Sequence, residues 1–218
     1  EHYTNSIVGS VDVYKRQVKE YGAPVPEIIM EFSEGAEIGE GYVMQSVGGE
    51  TIPRKILRDD SYKNIRNKLP YEIGKSLAQI HKTKLEKLQD LEKITFSESL
   101  EKLFIIYESF DQPQPVFDLA FKWLENQKIL DYEEVLVHGD YRFGNFIISE
   151  KKLESIIDWE LAHIGNPMED LGWLCVRSWR FGNVNKRAAG LGDVDELIAG
   201  YEANSKIKID KSQLDMWQ

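Results

Sequence analysis

The spacing of apolar positions changes several times along this chain, and each change marks an element. APVPEIIMEF and GYVMQSV are short apolar runs separated by SEGAEIGE, which predicts a strand–loop–strand pair. Gly35, Gly39 and Gly41 could suggest a phosphate cradle, but Glu34, Glu37 and Glu40 among them would repel phosphate, so a hairpin connection is the better reading. VGGETI follows as a joint with adjacent glycines. Helical spacing then takes over: Ile73, Leu77, Ile80, Leu85 and Leu88 recur after Pro70, a residue suited to a first turn. Thr95 and Glu98 have capping-box spacing ahead of LEKLFIIYESF, and Val116, Leu119, Ala120 and Trp123 mark another helix. Further on, VLVH reads as a short strand. FIIS and ESIID flank a polar EKKL turn, so residues 146–149 are expected to pair with roughly 154–157. PMEDLGWLCVRSWRF predicts a helix from Pro167, VDELIAGYEANS one from near Asp193, and QLDMWQ the first turns of a last one.

The opening stretch has neither period. Its DVYKRQ resembles translated adapter sequence, so residues 1–17 are expected to be a non-native or disordered leader. Composition narrows the function classes. The 218 residues are 42% hydrophobic and 29% charged, which suits a soluble globular protein with a sizeable core. No apolar run reaches the roughly 20 residues of a membrane helix. Cys175 is the single cysteine, which rules out an internal disulfide and points to a cytoplasmic location. A net charge of −10 argues against nucleic acid as a partner.

Chemistry concentrates in VLVHGDYRFGNFIISEKKLESIIDWELAH, residues 135–163. The hairpin register sets Asn145 just before the outgoing strand and Asp158 just after the returning one, so both can flank one site, with Asp140 facing it across a glycine-bearing turn. Asn145 and Asp158 supply hard oxygens of the kind Mg²⁺ takes. Asp140 is then free to accept or aim a hydroxyl proton, and His138 orients the loop. A rival reading places His138, Asp140, Asp158 and His163 on zinc in a hydrolase, which leaves Asn145 idle. Two other features are weaker. Gly74-Lys75-Ser76 mimics the end of a Walker A loop but lies inside a predicted helix, and His81 reads as a packed core histidine.

HGDYRFGN, IIDWELAHIGNPMEDLGW and RSWRFG together resemble the aminoglycoside phosphotransferase–choline kinase family, and within it the subgroup joined to acyl-CoA dehydrogenases. The resemblance runs from about Val18 to the C-terminus. It implies an α+β, protein-kinase-like two-lobed fold: residues 18–49 are the remnant of a truncated N-lobe with its hinge, and residues 50–218 a mostly helical C-lobe bearing the catalytic-loop hairpin. It implies Asp140 as catalytic base, Asn145 and Asp158 as Mg²⁺ ligands, His138 as the histidine opening the loop and Asp170 as the buried acid bracing it. Gln45 and Val47 correspond to the adenine-binding hinge, and Arg142 to a cation directed at the transferring phosphate. ATP and Mg²⁺ are the implied cofactors and a small hydroxylated molecule the acceptor; a catalytically inactive kinase-like binding module is the alternative. The chain departs from the family pattern at Asp158-Trp159-Glu160, where strand alternation puts Glu160 on the same side as Asp158, to join the groups around the metal or to bond the backbone. An upstream phosphate-covering loop and ATP lysine are expected but not found, since Lys15 and Lys19 match neither context, so the chain itself is expected to be inactive. Arg177, Trp179 and Arg180 lie where this fold forms its acceptor pocket, and the arginines suggest an anionic acceptor such as a hydroxyacyl group.

Overall fold

The computed structural model describes residues 15–32, 39 and 41–218. Residues 15–20 are helical (α1), so Lys15, Arg16 and Gln17 of the expected leader lie in a helix, and the rest of that leader falls outside the described residues. Val18, Ala23 and Val25 are buried, and the Pro24 carbonyl accepts from Ile156 N at 2.7 Å, which fastens this stretch to the core. Strands β1 (Ile28–Phe32) and β2 (Gly41–Met44) pair antiparallel from Ile28–Met44 to Phe32–Gly41, with an irregularity between Ile28 and Met30. The SEGAEIGE connection lies largely outside the described residues.

The glycine joint folds back onto the rest of the protein. Glu50 and Ile148 exchange main-chain hydrogen bonds at 2.9 and 3.0 Å. Gly49 sits at φ +152°, and a Cβ there would meet Ile147 Cγ2 at 2.7 Å and the Ile148 carbonyl at 3.0 Å. A side chain is thus excluded where the joint meets the hairpin.

Short helices α2 (Pro53–Arg58) and α3 (Lys63–Arg66) lead into α4 (Leu69–His81), which carries Pro70 in its first turn and buries Ile73, Leu77, Ala78 and Ile80. Helix α5 (Phe96–Ser109) has both halves of the Thr95–Glu98 capping box, and α6 (Pro115–Glu125) follows. Strand β3 (Val135–Val137) pairs antiparallel with β6 (His163–Gly165), and β4 (Phe146–Ile148) with β5 (Leu153–Ile156) in the register Phe146–Ile156, Ile147–Ser155 and Ile148–Leu153. Helices α7 (Pro167–Cys175), α8 (Val194–Ala203) and α9 (Lys211–Trp217) complete an α+β architecture in which α4 crosses α8 beneath the β3–β6 pair. At that crossing a Cβ on Gly74 would strike the Leu197 carbonyl and one on Gly200 the Tyr71 carbonyl, so the Walker-like tripeptide serves close helix packing. No helix among the described residues is long and apolar enough to cross a membrane.

Candidate active site

Strand β3 ends at Val137, His138 follows it, and the chain turns through Gly139, which adopts φ +82° with Leu161 main chain pressed against the space a Cβ would fill. This turn is held from below by Asp170, a fully buried residue in the first turn of α7. Its carboxylate accepts from His138 N (2.8 Å) and Gly139 N (3.0 Å), and it faces His81 Nε2 at 3.2 Å. Burial alone would raise the Asp170 pKa, but the His81 hydrogen bond, the neighbouring rings of His81 and His138 and the main-chain donor bring it below the ordinary aspartate value. An ionised Asp170 makes His81 Nε2 a donor, and His81 Nδ1 shares a hydrogen bond with the Tyr201 hydroxyl at 2.8 Å. A buried chain Tyr201–His81–Asp170 therefore braces the loop. The reading of His81 as a packed core histidine is right about burial and misses this hydrogen bonding.

His138 is itself buried and neutral. Its Nδ1 accepts from Asp140 N at 3.2 Å, so Nε2 is the donor to the Ile157 carbonyl at 3.1 Å. Burial pushes its pKa down despite the attraction of Asp170. With both nitrogens engaged, His138 orients the turn and neither carries protons nor ligates a metal. Tyr141 anchors the far side of the turn, donating from its buried hydroxyl to the Ile73 carbonyl of α4 at 2.9 Å.

Asp140 stands above this base with its side chain 16% exposed. Arg142 Nε spans its Oδ1 and Oδ2 at 3.1 and 2.9 Å. Asn145 Nδ2 donates to Oδ2 at 2.7 Å and to the Asp140 main-chain carbonyl at 2.9 Å. Trp173 Nε1, from α7, donates to Oδ1 at 2.7 Å. The Arg142 guanidinium lies 4.9 Å from the Trp179 ring centroid and passes over Gly144, where a Cβ would collide with it. Across the hairpin, Ile157 N donates to the Asn145 carbonyl at 3.0 Å, which brings Asp158 next to the residue paired with Asn145. Asp158 is exposed, adopts φ +69°, a region costly for residues other than glycine, and its carboxylate has no hydrogen bond or ion pair among the described residues.

The structure thus brings Asp140, Arg142 and Asn145 into direct contact, sets Asp158 beside them, and buries His138 and Asp170 beneath. It departs from expectation at three positions. Glu160 is exposed in a turn in which Ala162 N bonds the Trp159 carbonyl, and Asp158 is left-handed, so the strand alternation that would pair Glu160 with Asp158 does not hold. Arg180 is buried, giving Nε and Nη2 to the Cys175 carbonyl and Nη1 to that of Val184; it fastens the segment after α7 and is not available to an anionic acceptor. Arg177 remains exposed. Gln45 N is already donating to the Glu27 carbonyl at 2.7 Å, which leaves the Gln45 carbonyl and the Val47 amide without main-chain partners among the described residues. Trp173 escaped notice in the sequence because an indole at the end of an apolar helical stripe looks like core.

The zinc reading disperses. His163 is engaged by the Leu161 carbonyl and Glu169, at 2.9 and 3.2 Å, and among the described residues no three His, Cys, Asp or Glu side chains converge as a metal cluster.

A strand pair and joint laid against a loop hairpin, with the loop braced by a buried aspartate from the following helix, define a protein-kinase-like phosphotransferase fold. The chain belongs to the phosphotransferase enzyme family, whose profile matches residues 12–204. It is 30% identical over 202 residues to acyl-CoA dehydrogenase family member 11 of Pongo abelii, covering 83% of this chain and 25% of that protein. The chain therefore spans about a quarter of the length of that relative. The fold is similar to a structure described as an aminoglycoside phosphotransferase from Ralstonia eutropha JMP134 (TM-score 0.73, 22% identity, 94% of this chain and 68% of that one). It is also similar to spectinomycin phosphotransferase in complex with ADP and spectinomycin (TM-score 0.65, 16% identity, 98% of this chain and 68% of that one). At these identities the structures show the fold alone.

Proposed function

We propose that this chain carries the transfer centre of a small-molecule kinase that moves the γ-phosphate of ATP to a hydroxyl. The observation that carries this reading is the Asp140 carboxylate, held at the head of a rigidly braced turn with Asn145 in its grip and Asp158 beside it. The acceptor oxygen bonds to the γ-phosphorus while its proton passes to Asp140, and the bond from that phosphorus to the bridging oxygen breaks to leave ADP. The Arg142 terminal nitrogens carry no hydrogen bond among the described residues, so they are available to a phosphate oxygen. At the joint, the Gln45 carbonyl and Val47 amide are a free acceptor and donor of the kind an adenine edge requires.

Asn145 and Asp158 fit Mg²⁺. The Asn145 side-chain nitrogen is committed to Asp140, the side-chain oxygen Oδ1 has no donor among the described residues, and the Asp158 carboxylate is equally unpartnered among them. Two hard oxygens with room for phosphate and water are what this ion takes, and when bound it supplies charge neutralisation at the phosphates. Similarity to proteins named as acyl-CoA dehydrogenase family members supports a parent protein in which this kinase-like unit is joined to a dehydrogenase.

The test is ATP binding measured by calorimetry with and without Mg²⁺. Wild type is expected to bind ATP more tightly with the ion present, by about tenfold or more for loss or gain of one charge-assisted contact. Asp158→Asn should lose that enhancement while keeping the fold. An enhancement intact in the variant removes Asp158 from the metal site.

A further inference from the structure

Asp140 carries protein donors on both of its oxygens before any acceptor arrives. A carboxylate offers about four lone-pair directions, and three N–H groups are aimed at them: the single Arg142 Nε–H shared between both oxygens, Asn145 Nδ2 on Oδ2 and Trp173 Nε1 on Oδ1. A hydroxyl that gives its proton to Asp140 has to displace one of these. Asn145 is only 4% exposed and also bonds the Asp140 main chain. Arg142 contacts both oxygens, stacks on Trp179 and lies in the space Gly144 leaves open. Trp173 has a single bond, is 38% exposed, and meets Trp179 edge-on at 5.5 Å and 72°.

We propose that Trp173 is an acceptor-displaced gate: its indole N–H holds the place on Asp140 Oδ1 that the acceptor hydroxyl takes, and it leaves when the acceptor enters. The proposal rests on the reading of Asp140 as the group that receives the acceptor proton. Trp173 acts through Asp140, as a positioning residue. With no acceptor bound, the indole keeps water off Oδ1, and the carboxylate stays desolvated without being left unpaired. With acceptor bound, the hydroxyl inherits a hydrogen-bond site already shaped by Arg142 and Asn145, and the displaced ring stays near Trp179 at the wall of the site.

The test uses this chain with ¹⁵N-labelled tryptophan, whose five indole N–H signals are resolved by NMR. Trp173→Phe identifies the Trp173 signal by its disappearance. Glycerol, a benign carrier of hydroxyls, is the probe. The gate predicts that glycerol moves the Trp173 signal upfield and saturably while those of Trp123, Trp159 and Trp217 stay in place. It also predicts that Asp140→Asn shifts that signal upfield at the outset and abolishes the response. A Trp173 signal unmoved by glycerol, or one indifferent to Asp140→Asn, overturns the gate. Calorimetry with Mg·ATP separates the two readings. Nucleotide binding with an immobile indole sinks the gate alone, whereas a responsive indole without nucleotide binding sinks the phosphotransferase reading and leaves the displacement standing.

Discussion

At the scale of single residues, the site is organised by who donates to which carboxylate. Asp170 receives from the main chain of the turn, Asp140 receives from Arg142, Asn145 and Trp173, and the histidine between them has both of its ring nitrogens engaged. The neighbouring His163 is shifted the opposite way from His138. Burial would lower its pKa, but its hydrogen bond and charge interaction with Glu169 at 3.2 Å raise it above the ordinary histidine value. A raised folded-state pKa means the folded protein binds the proton more tightly than the unfolded chain. The stabilisation is therefore complete below the unfolded value of about 6.5 and is lost as pH climbs through the higher folded value. His163→Gln should then cost about 1 kcal/mol on the acid side, a charge-assisted bond discounted for partial screening. The gap between variant and wild type should close as pH rises. Urea denaturation midpoints of both proteins across that range check it, and a gap that widens with pH would reverse the assigned sign.

At the scale of elements, a strong local period made structure legible. The capping box at Thr95 and Glu98, the proline-started α4 and α7, and the β4–β5 hairpin all carry their signal within a few residues, and all are present. Strand β6 has three residues and no period of its own; it exists because β3 on one side and the Glu92–Ile94 segment on the other supply its hydrogen bonds. The same limit applies to the site. Asp140, Asn145 and Asp158 were legible because one short hairpin holds them, whereas His81 meets Asp170 across 89 positions and Trp173 meets Asp140 across 33. Arg177 and Arg180 looked alike in sequence, and only the carbonyls around Arg180 distinguish a structural cation from an exposed one. Gly74 was legible as a residue without a role, and the α4–α8 crossing gives it one. Gly74→Ala sets a methyl against the Leu197 carbonyl, a backbone atom that cannot rotate away. Overpacking of this kind costs about 1–3 kcal/mol, which outweighs a helix-propensity gain of about 1 kcal/mol. Gly48→Ala, in open space, is the control and should be close to neutral. Thermal melts of the two variants decide the matter, and a Gly74→Ala protein as stable as wild type would mean the helices can part without loss.

At the scale of the whole molecule, stability is unevenly spread. Helices α4, α7 and α8, strand β3 and the Asp140 turn share one core that includes Leu77, Leu136, Tyr141, Leu171 and Tyr201. Helices α5 and α6 contain no buried residue; Leu103, Ile105, Phe110, Val116, Phe117 and Leu119 are all more than half exposed. What holds this helical hairpin together is mostly local: the Thr95–Glu98 box, the packing of Phe104, Tyr107, Phe117 and Phe121 between the two helices, and the Tyr107 hydroxyl bonded to Asp118 at 2.9 Å, with Phe96 edge-on to Trp217 of α9 tying only its first turn to the rest. A segment with so little burial opens at a small free-energy cost, while the core opens only with global unfolding. Hydrogen exchange followed by mass spectrometry on this chain should therefore show α5 and α6 exchanging orders of magnitude faster than α4 and α8. The Asp140 turn, fastened by Asp170 and Tyr141 to the core, should group with the slow helices. The consequence is functional: the Asp140 site stays assembled while the hairpin opens and closes. Exchange in α5 and α6 as slow as in α4 would show that their apolar side chains are covered, and it would remove the basis for treating the two parts as separate units of stability.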